Sequence, residues 1–322
     1  MRSQLCATSC SSAVHPARIV QFLRLRWNQR LARLQSVGLR SGVPHTWING
    51  ASAHAVPADD RGLNYADGAF ETLQCSSGKL ACPDLHEVRL AGALARLEFD
   101  GPQSLAKQCF DEMKQLLAVV MHSGVVRCTV TRGSGPRGYA PSAAAVPRRI
   151  VAAQDFPVLD DQPMHCGLSQ VRWADQPQLA GLKLLARTEQ VLAAAEARQQ
   201  GWDDALMQDY RGNVVSSSRA NLFILRDMQF LTPNLEACGI AGTRRQLLLD
   251  HVLPELGFVP ALQELVLDDV LSADAVILTN TLLGVASVGS IADRTFDLEG
   301  AKPLLSSLSA ALFDCVTELS TS

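Results

Sequence analysis

From Thr46 onward, short apolar runs alternate with longer stretches of helical spacing, but without the regular strand–helix–strand order that builds a doubly wound parallel sheet. That irregular mixture predicts an α+β chain in two domains. Trp47 to Gly50 reads as a strand and turn, and Phe70–Cys75 with Leu80–Cys82 reads as a hairpin across Ser76-Ser77-Gly78-Lys79. Helical spacing puts Val88, Leu90, Leu94 and Leu97 on related faces, and a second helix is expected from Gln103 to His122. Strands are expected at 125–130 and 149–153. Asp155 to Pro163, with two prolines and three acids, reads as a linker. It divides a smaller N-terminal domain, 46–157, from a larger C-terminal one, 164–322. The second domain is expected to hold strands near 166–171, 204–207, 222–225 and 275–278, and helices near 189–200 and 242–256.

Residues 1–43 stand apart from this pattern. They carry seven Arg and no acid, and an apolar–basic stretch runs from Ile19 to Leu34. A transit peptide has that composition, and so does a mobile extension or a segment upstream of the true start. The remainder holds 22 of the 29 basic residues and all 32 acids, a net charge of −10. An acidic body is ill suited to nucleic acid, which needs clustered Lys and Arg. No run approaches the ~20 apolar residues of a membrane-spanning helix. The nine cysteines form no CxxC pair, which argues for reduced thiols in a reducing compartment over a disulfide frame or zinc site.

Two apparent motifs fail on context. Gly133-Ser134-Gly135-Pro136-Arg137-Gly138 fits the dinucleotide fingerprint, but Tyr139-Ala140-Pro141 follows where a helix must open. The loop reads either as a solvated surface feature or as a carboxylate binder carrying Arg132, Arg137 and Tyr139. His86-Glu87 begins like a zinc helix, but Leu90 stands where the second histidine belongs.

Lys183 is more informative. Of five lysines, it alone lies in an uncharged run, Gln178 to Ala186. Burial disfavours the ammonium and lowers its pKa, as carbonyl chemistry requires. A lysine snorkelling from an apolar strand edge has the same local sequence. Gly239 to Arg244 leads into an expected helix whose first amides suit a phosphate, and Thr279-Asn280-Thr281 adds donors at a strand end.

In order along the chain, these pieces resemble the fold-type IV pyridoxal-phosphate enzymes: the branched-chain and D-amino-acid aminotransferases and the aminodeoxychorismate lyases. The resemblance lies in Asp60-Arg61-Gly62-Leu63 with Asp67 to Thr72, His86 to Leu90, Gly181-Leu182-Lys183 with Arg187 to Gln190, Ala220 to Phe223, and Gly242-Thr243-Arg244 with Thr281. It implies a homodimer with Lys183 as the Schiff-base lysine. Arg89, Ser216, Asn221, Thr243, Arg244 and Thr281 become cofactor contacts, and Arg132, Arg137 and Tyr139 substrate contacts. The loop 132–139 looks most like the lyases, which release pyruvate from 4-amino-4-deoxychorismate to give 4-aminobenzoate for folate synthesis. A cytoplasmic location follows, or a plastid or mitochondrion if 1–43 is a transit peptide.

Three positions depart from the family's pattern. Ala66 replaces a glycine, and Ala186 replaces an asparagine. Ser216 stands where the family carries the Glu that keeps the pyridine nitrogen protonated. A hydroxyl can hydrogen-bond that nitrogen but cannot hold a full positive charge there, so a weaker electron sink is expected.

Overall fold

The computed structural model describes residues 45–76, 78–120, 123–157 and 162–320. The expected extension at 1–43, the end of the expected helix at 121–122, and 158–161 of the expected linker lie outside the described residues.

The N-terminal half is a six-stranded antiparallel sheet formed by β1 (Thr46–Ile48), β2 (Ala51–Ser52), β3 (Gly68–Ser76), β4 (Lys79–Leu80), β5 (Gly124–Thr131) and β6 (Arg148–Gln154), in the order β2-β1-β6-β5-β3-β4. A short helix, α1 (Arg61–Tyr65), is capped by the Asp60 carboxylate, which accepts from Gly62 N at 2.7 Å. Two longer helices, α2 (Pro83–Arg96) and α3 (Pro102–Val120), complete this half. Leu105, Cys109, Met113, Leu116 and Val120 recur at helical spacing on α3 and are buried with Leu90, Leu94, Leu73 and Val126. Val88 is not part of that face. It lies about 200° around the helix from Leu90 and is 73% exposed.

The C-terminal half is a second, nine-stranded sheet: β7 (Met164–Leu168), β8 (Asp204–Gln208), β9 (Val214–Ser217), β10 (Asn221–Arg226), β11 (Gln229–Pro233), β12 (Ala261–Gln263), β13 (Ala275–Asn280), β14 (Gly284–Ile291) and β15 (Arg294–Thr295). Its order is β12-β11-β10-β13-β14-β7-β8-β9, with β15 beside β14. An additional pairing of β9 with β10, Ser216 opposite Asn221, closes six of these strands into a ring. Helix α4 (Thr188–Gln200) packs on β8, and α8 (Lys302–Glu318), the last after α5 (Thr243–Leu247), α6 (Leu253–Glu255) and α7 (Leu267–Leu271), packs on β14.

The helix expected over 242–256 is interrupted. A π turn at Leu248–Val252 joins α5 to α6, just before Pro254. Proline has no N–H for the carbonyl four residues back, and its ring crowds that carbonyl, so the turn widens.

Candidate active site

Lys183 lies in the seam between the two sheets. Its own carbonyl accepts from Phe70 N at 3.1 Å, and Leu185 N donates to Gly68 O at 3.0 Å, so the lysine segment runs as an added edge beside β3. On the other side Gly181 N donates to Gly239 O and Ala241 N to Gly181 O, both at 3.0 Å. Gly181 makes that switch at φ +79°, a left-handed conformation that costs a side chain energy. The apolar run around Lys183 is therefore explained by position, since it is clamped on both flanks.

The amine of Lys183 projects over the Phe70 ring, 4.3 Å from the centroid. Burial and the guanidiniums of Arg89, Arg127 and Arg187 bring its pKa down to about 8, against the opposing pull of Glu71. It opens into a cavity of about 340 Å³. Among the described residues, four arginines line that cavity, Arg89, Arg187, Arg219 and Arg244, and no Asp or Glu does.

Arg89 is aimed from α2 by a buried carboxylate. Its Nε and Nη2 donate to Glu71 Oε1 and Oε2, each at 2.7 Å, and its Nη1 donates to Ala241 O at 2.8 Å. A guanidinium has five N–H donors, so two remain for a ligand. The His86 ring nitrogen Nδ1 lies 2.7 Å from Glu71 Oε2, and Nε2 lies 3.2 Å from Thr243 Oγ1. Burial would raise the Glu71 pKa, but Arg89 and His86 outweigh it and hold it at about 2. Burial, Arg89 and Arg244 push His86 down to about 4 despite Glu71. At neutral pH the histidine is thus uncharged, donating to Glu71 and accepting from Thr243.

The closure of β9 on β10 brings Ser216 and Asn221 to the same wall. Asn221 Nδ2 donates to Ile240 O at 2.8 Å, holding the loop that leads into α5. Gly242 is required there, because a Cβ would meet Asn221 Oδ1 at 2.0 Å. Ser216 Oγ accepts from Trp173 Nε1 at 3.0 Å and donates to Ser217 O at 2.8 Å. Its only proton is therefore already committed.

Of the residues expected at a site, Lys183, Arg89, Ser216, Asn221, Thr243, Arg244 and Thr281 all line the one cavity. Arg132 does not, and the expectation that it meets substrate is corrected. Its Nη2 donates to Asp67 Oδ1 at 3.0 Å and Leu97 O at 2.6 Å, its Nη1 to Glu98 O at 3.0 Å, and its plane covers the Phe99 ring at 3.8 Å. A buried arginine with those partners is a strut of the first sheet. Arg137 and Tyr139 are exposed at the tip of the 133–139 loop, away from this chain's cavity. Arg61 fixes that tip by donating to Gly138 O and Tyr139 O, while the Tyr65 hydroxyl accepts from Gly138 N.

Sequence reasoning did not single out Trp173, Arg187 or Gln190 as site residues, nor the Glu71–His86 pair. Glu71 and His86 were visible within motifs, and His86 at three residues before Arg89 shares its helix face. Trp173 gave no signal.

A family model described as amino-transferase class IV matches residues 68–291. The chain belongs to the class IV aminotransferases. A curated relative named aminodeoxychorismate lyase, from Vibrio harveyi, is 32% identical over 76% of this chain and 90% of its own length. The D-alanine aminotransferase of Bacillus licheniformis is 26% identical over 80% of this chain and 90% of its own length. The crystal structure of 4-amino-4-deoxychorismate lyase from Pseudomonas aeruginosa superposes with a TM-score of 0.75 at 34% identity, covering 81% of this chain and 96% of that one. The fold is thus that of the class IV, or fold-type IV, enzymes, and the chain is an α+β enzyme of that type.

Proposed function

We propose that this chain is an aminodeoxychorismate lyase, converting 4-amino-4-deoxychorismate to 4-aminobenzoate and pyruvate. The observation that carries the reading is the cavity around Lys183, lined among the described residues by four arginines and no carboxylate. Such a lining suits ligands with several negative charges, and this reaction brings a phosphate on the cofactor and two carboxylates on the substrate.

Pyridoxal phosphate is the cofactor, and the residues present fit it. Arg244 is buried beside the Cys82 thiol, and no oxygen of a described residue accepts a hydrogen bond from its Nη1 or Nη2, which lie beside the close approach at Gly242 and the uncapped start of α5. Arg89, Thr243, Arg244 and Thr281 would hold its phosphate, with Asn221 fixing the loop beneath and Ser216 facing its ring. When bound, the cofactor supplies an aldehyde that condenses with amines and a ring that takes electron density from the carbon bearing nitrogen.

Lys183 would anchor the cofactor and then act as the proton carrier. With its pKa lowered to about 8, a far larger fraction of it is free amine at neutral pH than for an ordinary lysine, and that amine can take the proton from the ring carbon bearing the amino nitrogen. The bond between the substrate ring and the enolpyruvyl oxygen breaks, the ring becomes aromatic, and the proton is returned to the methylene carbon of the leaving group as pyruvate. Ser216 accepts from Trp173 and donates its proton to Ser217 O, so it would offer the cofactor's ring nitrogen no proton. Elimination into an aromatic ring tolerates that weaker sink better than amino transfer does.

The reading extends to a homodimer, in which the exposed Arg137–Tyr139 tip of one subunit would reach the substrate at its partner's cavity, and to a cytoplasmic location. No disulfide joins the seven described cysteines. Incubation with 4-amino-4-deoxychorismate should release 4-aminobenzoate and pyruvate in equal amounts, and Lys183→Ala should release neither. The second reading, an aminotransferase, is favoured by the D-alanine aminotransferase relative. Amino transfer from D-alanine faster than pyruvate release would establish it. Ser216→Glu should gain transamination under the lyase reading.

A further inference from the structure

Arg187 is a second guanidinium in the cavity with unpartnered nitrogens. It precedes α4 directly and lies 5.6 Å from the Trp173 ring centroid. Its Nε and Nη1 are enclosed, and no described residue accepts a hydrogen bond from either. Three residues later, in the first turn of α4, Gln190 is 9% exposed, and both atoms of its amide lack a described partner. A buried cation without a counter-charge is costly, as is a buried amide without bonds. Glu189 supplies charge close to Arg187, but its Oε1 is engaged by Ala174 N at 3.0 Å and it accepts no hydrogen bond from Arg187 Nε or Nη1, so those bonds stay unmade. Both side chains line the cavity, so their missing partner enters with a ligand.

The other cations narrow what that partner is. Arg89 is tied to Glu71, and Arg219 faces Asp204 and donates to Asp203 O. Arg244 stands beside Thr243, on the wall assigned above to the cofactor phosphate. Arg187 is left with the substrate's own charges. We propose that Arg187, seated against Trp173 and backed by Gln190, is the receptor for a carboxylate of the amine substrate. This rests on the reading above, in which the substrate carries two.

The products separate those two carboxylates, since 4-aminobenzoate keeps the ring one and pyruvate takes the other. Calorimetric binding of each to the cofactor-loaded enzyme should show at least one dissociation constant raised about 10- to 100-fold in Arg187→Gln, the scale of a charge-assisted hydrogen bond. Arg187→Lys should recover part of it, and Gln190→Leu should weaken the same ligand by a smaller factor. Cofactor affinity, titrated by absorbance, should stay within about two-fold of wild type in all three variants, while the pH at which the absorption changes should move up in Arg187→Gln, which removes a cation near Lys183. Both constants within about two-fold of wild type in Arg187→Gln and Gln190→Leu would overturn the proposal. So would a loss of cofactor affinity of ten-fold or more in Arg187→Gln, which would assign the guanidinium to the cofactor. A wild-type enzyme that releases no 4-aminobenzoate refutes the functional reading instead, and benzoate binding, which needs no turnover, then decides Arg187 by the same comparison.

Discussion

A lysine with a pKa near 8 behaves differently from one near 10.5, and the difference is measurable before any catalysis occurs. Capture of pyridoxal phosphate by the apoenzyme needs the neutral amine of Lys183. The rate at which the cofactor's absorption band appears should therefore rise with pH and level off above about 8. A rate still climbing steeply at pH 9.5 would contradict the depressed value. The same scale separates Arg132 from the site. Arg132→Ala leaves Asp67 with Arg61 as its remaining ion-pair partner and uncovers Phe99. Breaking a buried pair costs roughly 3 kcal/mol, so urea unfolding should show that loss while KM stays within two-fold of wild type. The uncharged flanks of Lys183 set it apart among five lysines, but a snorkelling lysine has the same local sequence, and the ordered motifs around it, not the flanks, pointed to it. Arg132 was misread because sequence adjacency to Arg137 and Tyr139 hid the Asp67 partner that burial gives it. Trp173 was illegible because its indole reaches Ser216 across 43 residues, a contact no local pattern encodes.

Elements translate such contacts into geometry. The loop into α5 meets Asn221 on one side and the lysine segment on the other, and Gly242 sits at the closest approach. Gly242→Ala places a methyl 2.0 Å from Asn221 Oδ1, so the start of α5 must move away from the cavity. The expected outcome is at least a ten-fold loss of cofactor affinity in an absorbance titration. Unfolding free energy without cofactor should fall by only about 1–3 kcal/mol, the usual range for a local overpacking. Equal affinity in wild type and variant would show that the loop adjusts without disturbing the site. Strands such as 125–130 and 275–278 were readable because short runs rich in β-branched and apolar residues suit buried strands. The π turn was not, because it depends on how a widened turn before Pro254 packs between Leu247 and Leu253.

At the scale of the whole molecule, the two halves are joined through titratable groups. Glu71 belongs to β3 of the first sheet, His86 and Arg89 to α2, and Thr243 and Ala241 to the C-terminal half. Stability of the seam must then depend on pH, with a definite sign. In the unfolded chain His86 binds a proton below its ordinary pKa of 6.5, while in the folded chain it does not until about 4. Between those values the unfolded state holds more protons, so acidification favours unfolding. The stabilisation is complete above pH 6.5 and is lost as pH falls to 4, by an amount on the order of 3 kcal/mol. Below that, Glu71 adds a second loss, since its carboxyl stays ionised down to about 2 against an ordinary 4.5. Urea unfolding at several pH values between 7 and 4 should show the first loss at roughly 1.4 kcal/mol per pH unit. His86→Asn removes the titrating ring and should flatten that slope, at the cost of a lower plateau at pH 7. An unchanged slope in the variant would show that the acid sensitivity arises elsewhere and that the seam is not held by the uncharged histidine.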